Sequence, residues 1–325
     1  MGRSVCSAHT RGESFVGKVV NQNPLILKSP LILVQTKKIL VTGATGFIGQ
    51  YVVNELLNQT YCQIIIASRS GNLPTAWNGN DRIIYYHFDF ETIDEETNYF
   101  EYFNRPDICI HLAWQGLPNY KEPFHLEKNL PSQYSFLKNL VSNGLKKLTI
   151  TGTCFEYGMQ QGCLSETMPA KPDNAYAIAK HQLYLSLLEL QKQIPYQFNW
   201  VRLFYMYGKG QNPKALFSQL DAALERGDEI FNMSGGEQER DFLPVETVAK
   251  NIVSIALMDK EAGLINCCSG KPVKVKDLVT HYLQRHNATL KLNLGFYPYA
   301  DYEPMSFWGD KEKLNKVMDV GNKDY

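Results

Sequence analysis

Lys38-Ile39-Leu40-Val41-Thr42-Gly43-Ala44-Thr45-Gly46-Phe47-Ile48-Gly49 decides how this chain folds. The first five residues form a β-branched, apolar run of strand length. After the glycines, Ile48, Val52, Val53, Leu56 and Leu57 recur at helical spacing. Three glycines at fixed spacing would arise by chance in roughly one chain in ten of this size, so the pattern alone says little. Between a strand and a helix it gains a mechanism. The first glycines allow a tight turn and bring backbone N–H groups to a pyrophosphate at a helix N-terminus, while Gly49 lets helix and strand pack closely. An ordinary strand-to-helix loop is the alternative.

Outward from this segment the alternation continues. Gln63 to Ala67, Arg82 to His87, Ile108 to Ala113 and Lys147 to Thr151 read as further strands. A helix carrying Leu130, Tyr134, Leu137 and Val141 on one face stops at Gly144. Strand, helix, strand in repetition requires right-handed crossovers, which predicts a doubly wound parallel α/β sheet, a Rossmann fold, with a smaller C-terminal lobe. Residues 37–205 are expected to form the dinucleotide-binding domain, with a later return near 240–270, and residues 206–325 mainly the second lobe. Residues 1–36 carry Arg3, Arg11, Lys18 and Lys28 against Glu13 alone and read as an extension expected to be disordered.

Composition narrows the function. With 33 basic and 33 acidic residues the formal charge is zero, so no basic stripe calls for a nucleic acid or an anionic membrane. Seven cysteines, odd in number and never spaced C-x-x-C, suit a reducing, cytoplasmic setting and no metal site. No apolar run approaches the roughly 20 residues of a membrane span.

After the second strand, Ala67-Ser68-Arg69-Ser70 offers a guanidinium and two hydroxyls where a carboxylate would hold a free ribose 2′-OH. A 2′-phosphate suits Arg69, so NADP(H) is favoured over NAD(H), although Arg69 as a solvated loop residue stays open. Asp89 either accepts from an adenine amino group or turns the chain.

Tyr176-x-x-x-Lys180 sets a phenol and an ammonium on one helical face. A nearby cation favours the phenolate, which predicts a lowered Tyr176 pKa. Tyr134 to Lys138 and Tyr205 to Lys209 share the spacing, but only Tyr176 follows the fifth strand, whose end presents Thr151 and Thr153 at the carboxyl edge where ligands sit in open sheets.

With glycine loop, strand-end hydroxyls and Tyr-Lys helix in this order, residues 38–320 resemble the extended short-chain dehydrogenase/reductases, in their sugar-nucleotide epimerase, dehydratase and reductase branch. The resemblance implies catalysis by Thr153, Tyr176 and Lys180. It implies cofactor binding by Gly43, Thr45, Gly46, Phe47, Ile48, Gly49, Arg69, Asp89, Phe90, Ala113 and Asn129, with Tyr176 and Lys180. Trp114, Thr153, Tyr205 and Arg240 would bind substrate, Arg240 meeting a nucleotide diphosphate, in an enzyme expected to be a homodimer. Trp114 as core, Tyr157 as packing and His111 as a satisfied strand residue are the plainer alternatives.

Departures from the family point to one branch. Its dehydratases place Asp-Glu directly after the Thr, where this chain has Cys154 and Phe155. Many of its epimerases carry Asn where Tyr205 stands. The segments His111 to Tyr120 and Thr151 to Gly158 are similar to bacterial reductases of nucleotide-linked 4-keto-6-deoxyhexoses, used in making deoxysugars for surface polysaccharide. NADPH-dependent reduction at C4 is therefore the expected reaction. The competing readings are an NAD-dependent 4-epimerase and a non-catalytic NADP sensor.

Overall fold

A computed structural model of the chain describes residues 36–321 except 60, 70 and 72. The expected N-terminal extension, apart from Thr36, and Ser70 lie outside the described residues. The strands β1 (Lys38–Thr42), β2 (Gln63–Ser68), β3 (Ile83–His87), β4 (Ile108–His111) and β5 (Lys147–Thr153) alternate with helices α1 (Phe47–Gln59), α2 (Tyr99–Tyr102) and α3 (Leu130–Ser142). The chain continues through β6 (Gly162–Leu164), α4 (Ala175–Gln193), β7 (Gln197–Leu203) and β8 (Tyr205–Tyr207). Then come α5 (Leu216–Arg226), β9 (Ile230–Asn232), β10 (Glu239–Pro244), α6 (Val245–Leu257) and β11 (Gly263–Cys267). The last elements are β12 (Pro272–Lys274), α7 (Val275–Arg285), β13 (Lys291–Asn293), β14 (Phe307–Gly309) and α8 (Glu312–Gly321).

Seven parallel strands form the main sheet in the order β11-β7-β5-β4-β1-β2-β3. Side-chain alternation sends Ile39, Val41, Ile64 and Ile66 to a core shared with Val52 and Leu56 of α1 and Ile252 of α6. Leu40, Ile65 and Cys109 face the opposite core, with Phe136 and Leu140 of α3 and Leu183 and Leu187 of α4. Apolar residues on both faces explain the continuous strand runs, because both faces are covered by helices. Strand order reverses on either side of β1, which opens a crevice at the carboxyl ends of β1 and β4.

Three strand ends differ from expectation, β2 running one residue further to Ser68. β4 stops at His111, and β5 continues through Thr153, so Thr153 belongs to the sheet itself. After β7 the chain builds the sheet β12-β10-β8 and a separate core around Phe217, Leu220, Val279 and Leu283. It returns to the main sheet through α6 and β11. No helix among the described residues is long and apolar enough to cross a membrane.

Candidate active site

The glycine turn sits in the crevice. Gly43 has φ +69°, and a side chain there would place Cβ 2.8 Å from the Ala113 nitrogen, against the backbone that follows β4. At Gly49 an added Cβ would lie 2.1 Å from the Gly43 carbonyl oxygen, so no larger residue lets α1 close on the turn. Gly46 N–H donates to that same carbonyl at 3.0 Å. Thr45 Oγ1 and Ser68 Oγ are 2.8 Å apart, which ties the turn to the end of β2. Phe47 opens α1 with its ring edge-on to Tyr51, and Ile48 packs on the core.

Arg69 is exposed just past β2, its guanidinium 3.4 Å from Gln115 Oε1. Asp89 caps a short 3-10 turn, Phe90–Thr92, by accepting the Glu91 N–H at 3.0 Å, which is the chain-turning role offered above. Phe90 is buried among Phe88, Phe136 and His111. His111 lies 2.8 Å from Thr42 Oγ1, and burial pushes it down to about 3, which leaves the ring neutral at ordinary pH. It is the last residue of β4.

At the opposite edge, Thr153 ends β5 and starts a one-turn 3-10 segment, Cys154–Tyr157. Its Oγ1 accepts the Phe155 N–H at 3.3 Å, and its own N–H donates to Glu156 Oε1 at 3.0 Å. Tyr157 is buried, donating to Asn266 Oδ1 at 2.9 Å beneath the Arg202 guanidinium, as packing predicts. Asn174 caps α4 through the Ala177 N–H, which sets Tyr176 in the first turn and Lys180 one turn on. The Tyr176 N–H donates to Tyr120 O at 2.9 Å, joining the loop after β4 to this helix.

The electrostatics correct one expectation. Tyr176 does not ionise more easily for having Lys180 on its helix. Burial raises its pKa strongly, the Tyr120, Glu156 and Cys154 fields add to the rise, and a hydrogen bond with Thr153 opposes them. The spacing registers a neighbouring charge but not the loss of water, and desolvation is the larger effect. Lys180, 2% exposed, is itself pushed down to about 7 by burial, against the Glu156 carboxylate, which favours its charge. Its Nζ donates to Thr151 O at 2.8 Å.

Asn129 closes a single π-helical turn, His125–Asn129, a form frequent at functional sites. Its amide donates to Gln115 O at 3.1 Å and reaches the His125 ring, so it fastens the loop after β4. Tyr205 lies among Phe155, Phe242 and Phe307. Arg240, expected to await a diphosphate, is buried and paired with Glu303, its Nη2 2.9 Å from Oε2.

Three site residues escaped the sequence reading. Glu156 had a signal, since Thr153-x-x-Glu156 is a capping box. His125, four residues before Asn129, had only that helical spacing. Glu303, 63 residues from Arg240, had none.

A helix N-terminus, a turn closed to side chains at Gly43 and Gly49 and a buried ammonium all fit a dinucleotide, and they define a nucleotide-cofactor enzyme of the doubly wound class. Residues 39–268 match the NAD dependent epimerase/dehydratase family, and the chain belongs to it, as an extended short-chain dehydrogenase/reductase. It is 30% identical to a dTDP-6-deoxy-L-talose 4-dehydrogenase (NAD(+)) of Aggregatibacter actinomycetemcomitans, over 84% of this chain and 99% of that protein. A GDP-6-deoxy-D-talose 4-dehydrogenase of the same organism is 25% identical, over 86% and 91%. The fold matches a UDP-glucuronic acid 4-epimerase from Bacillus cereus, solved with UDP-glucuronic acid and NAD. That comparison has a TM-score of 0.75 at 22% identity, covering 87% of this chain and 93% of that one.

Proposed function

We propose that the protein reduces the 4-keto group of a nucleotide-diphosphate 4-keto-6-deoxyhexose, with NADPH as the favoured reductant. The observation that carries this is the Tyr176 phenol, buried and kept neutral beside Thr153, because a neutral phenol is the proton donor that carbonyl reduction needs. Two relatives are named for dehydrogenation at C4 of a nucleotide-linked 6-deoxytalose, which in reverse is such a reduction.

The bound dinucleotide supplies the hydride. Thr153 Oγ1 hydrogen-bonds the carbonyl oxygen, and Tyr176 Oη gives its proton to that oxygen as negative charge develops. Lys180 holds the nicotinamide ribose with its ammonium, and the glycine turn with Thr45, Phe47 and Ile48 carries the pyrophosphate. Asp89, Phe90 and Ala113 line the adenine side, Asn129 keeps the loop over the cofactor, and Trp114 and Tyr205 border the sugar. Arg240 receives the diphosphate, whose oxygens replace the Glu303 carboxylate on the guanidinium. A cytoplasmic homodimer completes the reading, the dimer to be tested by sedimentation.

Cofactor choice rests on Arg69. Arg69→Ala is expected to weaken NADPH more than NADH by about 1.5–3 kcal/mol, the range of a charged hydrogen bond, as measured by titration calorimetry. The relative named for NAD(+) favours the competing preference. Equal loss for both cofactors would sink the NADPH preference. For Arg240, the Ala variant should raise the KM for the nucleotide sugar about ten-fold or more and leave dinucleotide affinity unchanged. An unaltered KM would reduce Arg240 to a partner for Glu303.

A further inference from the structure

Lys180 is buried, and among the described residues its ammonium makes one hydrogen bond, to Thr151 O. What stands where its hydration shell would be is an aromatic face. The Trp114 ring centroid lies 4.2 Å from Nζ, and the Trp200 ring is more distant at 5.9 Å. Trp114 comes from the loop after β4, so something must fix its ring against a helix 66 residues further along.

The fixture is His125. The indole N–H of Trp114 is donated to His125 Nδ1 at 3.0 Å, and the Asn129 amide nitrogen lies 3.2 Å from that atom. An indole nitrogen can only donate, so Nδ1 is the acceptor and the imidazole proton sits on Nε2. From there it is donated to Asn119 O at 3.0 Å. The imidazole is buried, its plane tilted 21° from the indole's with 6.2 Å between centroids. Burial lowers the His125 pKa, which favours this neutral tautomer. A protonated ring would turn an N–H toward the Trp114 donor.

We propose that Trp114, locked by His125 and Asn129, is a positioning residue for the reaction, its indole face holding the Lys180 ammonium charged and in place in a site emptied of water. The inference rests on the reading that Lys180 serves the dinucleotide as a cation. The charged and titratable groups facing Lys180 are Glu156 from the turn after β5, His111 from β4, His125 from the π-turn and Tyr176 on its own helix. Among them Glu156 favours the ammonium, and the indole quadrupole adds to it. A cation over an indole counts most where water is excluded. With Lys180 already pushed down to about 7, its charge at neutral pH is sensitive to that contact.

The test follows the Lys180 ε-carbon by NMR in dinucleotide-free protein labelled with ¹³C-lysine, the signal assigned by its loss in Lys180→Met. Trp114→Leu is expected to lower the Lys180 midpoint by about one pH unit. Trp114→Phe keeps a ring face and is expected to recover more than half of that shift. Calorimetric NADPH and NADH affinity in the Leu variant should fall away from a lower pH than in wild type as pH rises. A Leu midpoint equal to wild type overturns the proposal. If the Leu variant does not fold, Trp114→Met, apolar and also without a ring face, decides in its place, and a midpoint identical to wild type there overturns the proposal. The titration needs no sugar substrate, so a failed reductase assignment leaves its result standing.

Discussion

Tyr176→Phe is expected to fold, to bind dinucleotide as wild type does, and to lose about 10²- to 10⁴-fold in kcat for the keto sugar. The ring stays because its neighbours hold it without the hydroxyl. Tyr120 packs at 5.7 Å, Trp114 edge-on at 5.9 Å and His125 at 5.4 Å between centroids. The Tyr176 backbone N–H is tied separately to Tyr120 O. What the variant removes is the proton, and Thr153 and Lys180 cannot replace it as well. Thr153 is a far weaker acid, and Lys180 donates to Thr151 O and in this reading holds the nicotinamide ribose. The measurement follows absorbance of the reduced cofactor beside product, with a 4-keto-6-deoxy nucleotide sugar. Full activity in the variant would overturn Tyr176 as the acid, and binding without turnover in wild type would favour the sensor. The same assay separates reductase from epimerase, since a reductase consumes one reduced cofactor per product. Epimerised product from a hydroxy sugar without net oxidation would overturn the reduction.

What could be read from the chain was local. The turn from Gly43 to Gly49 and the strand-helix alternation depend on residues within a few positions, so spacing carried them, and β1 and α1 lie where it put them. The Tyr176 and Lys180 pair likewise needs only helical geometry. The surroundings of that pair depend on chain segments that meet only in the fold. Trp114 reaches Lys180 across 66 positions, and Glu303 reaches Arg240 across 63. No periodicity encodes such meetings. The direction of the Tyr176 pKa failed for the same reason, because burial is a property of the assembled core. Extending β5 to Thr153 required knowing that β7 runs alongside, with Thr153 opposite Leu203.

Glu156 shows how far the site depends on such a convergence, and its replacement is expected to be the most destabilising single change near the site. The carboxylate is fully buried, and three N–H donors converge on it. Oε1 accepts the Thr153 N–H at 3.0 Å and the Trp200 indole N–H at 2.9 Å. Oε2 accepts from Arg202 Nε at 3.0 Å, with His181 Nδ1 at 3.6 Å. Glu156→Gln cannot serve both sides, because its amide must turn an N–H₂ toward one pair of donors, and it leaves the buried Arg202 without a counter-charge. Losing one partner of a buried pair costs about 3–5 kcal/mol. For a chain of this size that is a fall of roughly 4–7 °C in Tm, read by calorimetry. Replacing both partners with apolar residues, as in Glu156→Leu with Arg202→Leu, should recover part of the loss, since no uncompensated charge remains. Acid titration gives an independent reading. Burial pushes this carboxyl up, but the His181 hydrogen bond, the Arg202 charge and the Thr153 and Trp200 donors outweigh it and hold it below the usual carboxylate range. A folded-state pKa below the unfolded one contributes stability above about pH 4.3 and loses it as pH falls through the folded value. Wild type should show that acid limb and Glu156→Gln should show less of it. Equal Tm values at pH 7 for wild type and Glu156→Gln would mean that the buried pair contributes nothing. The same substitution frees the Thr153 backbone from its anchor, so kcat should fall even where the variant remains folded.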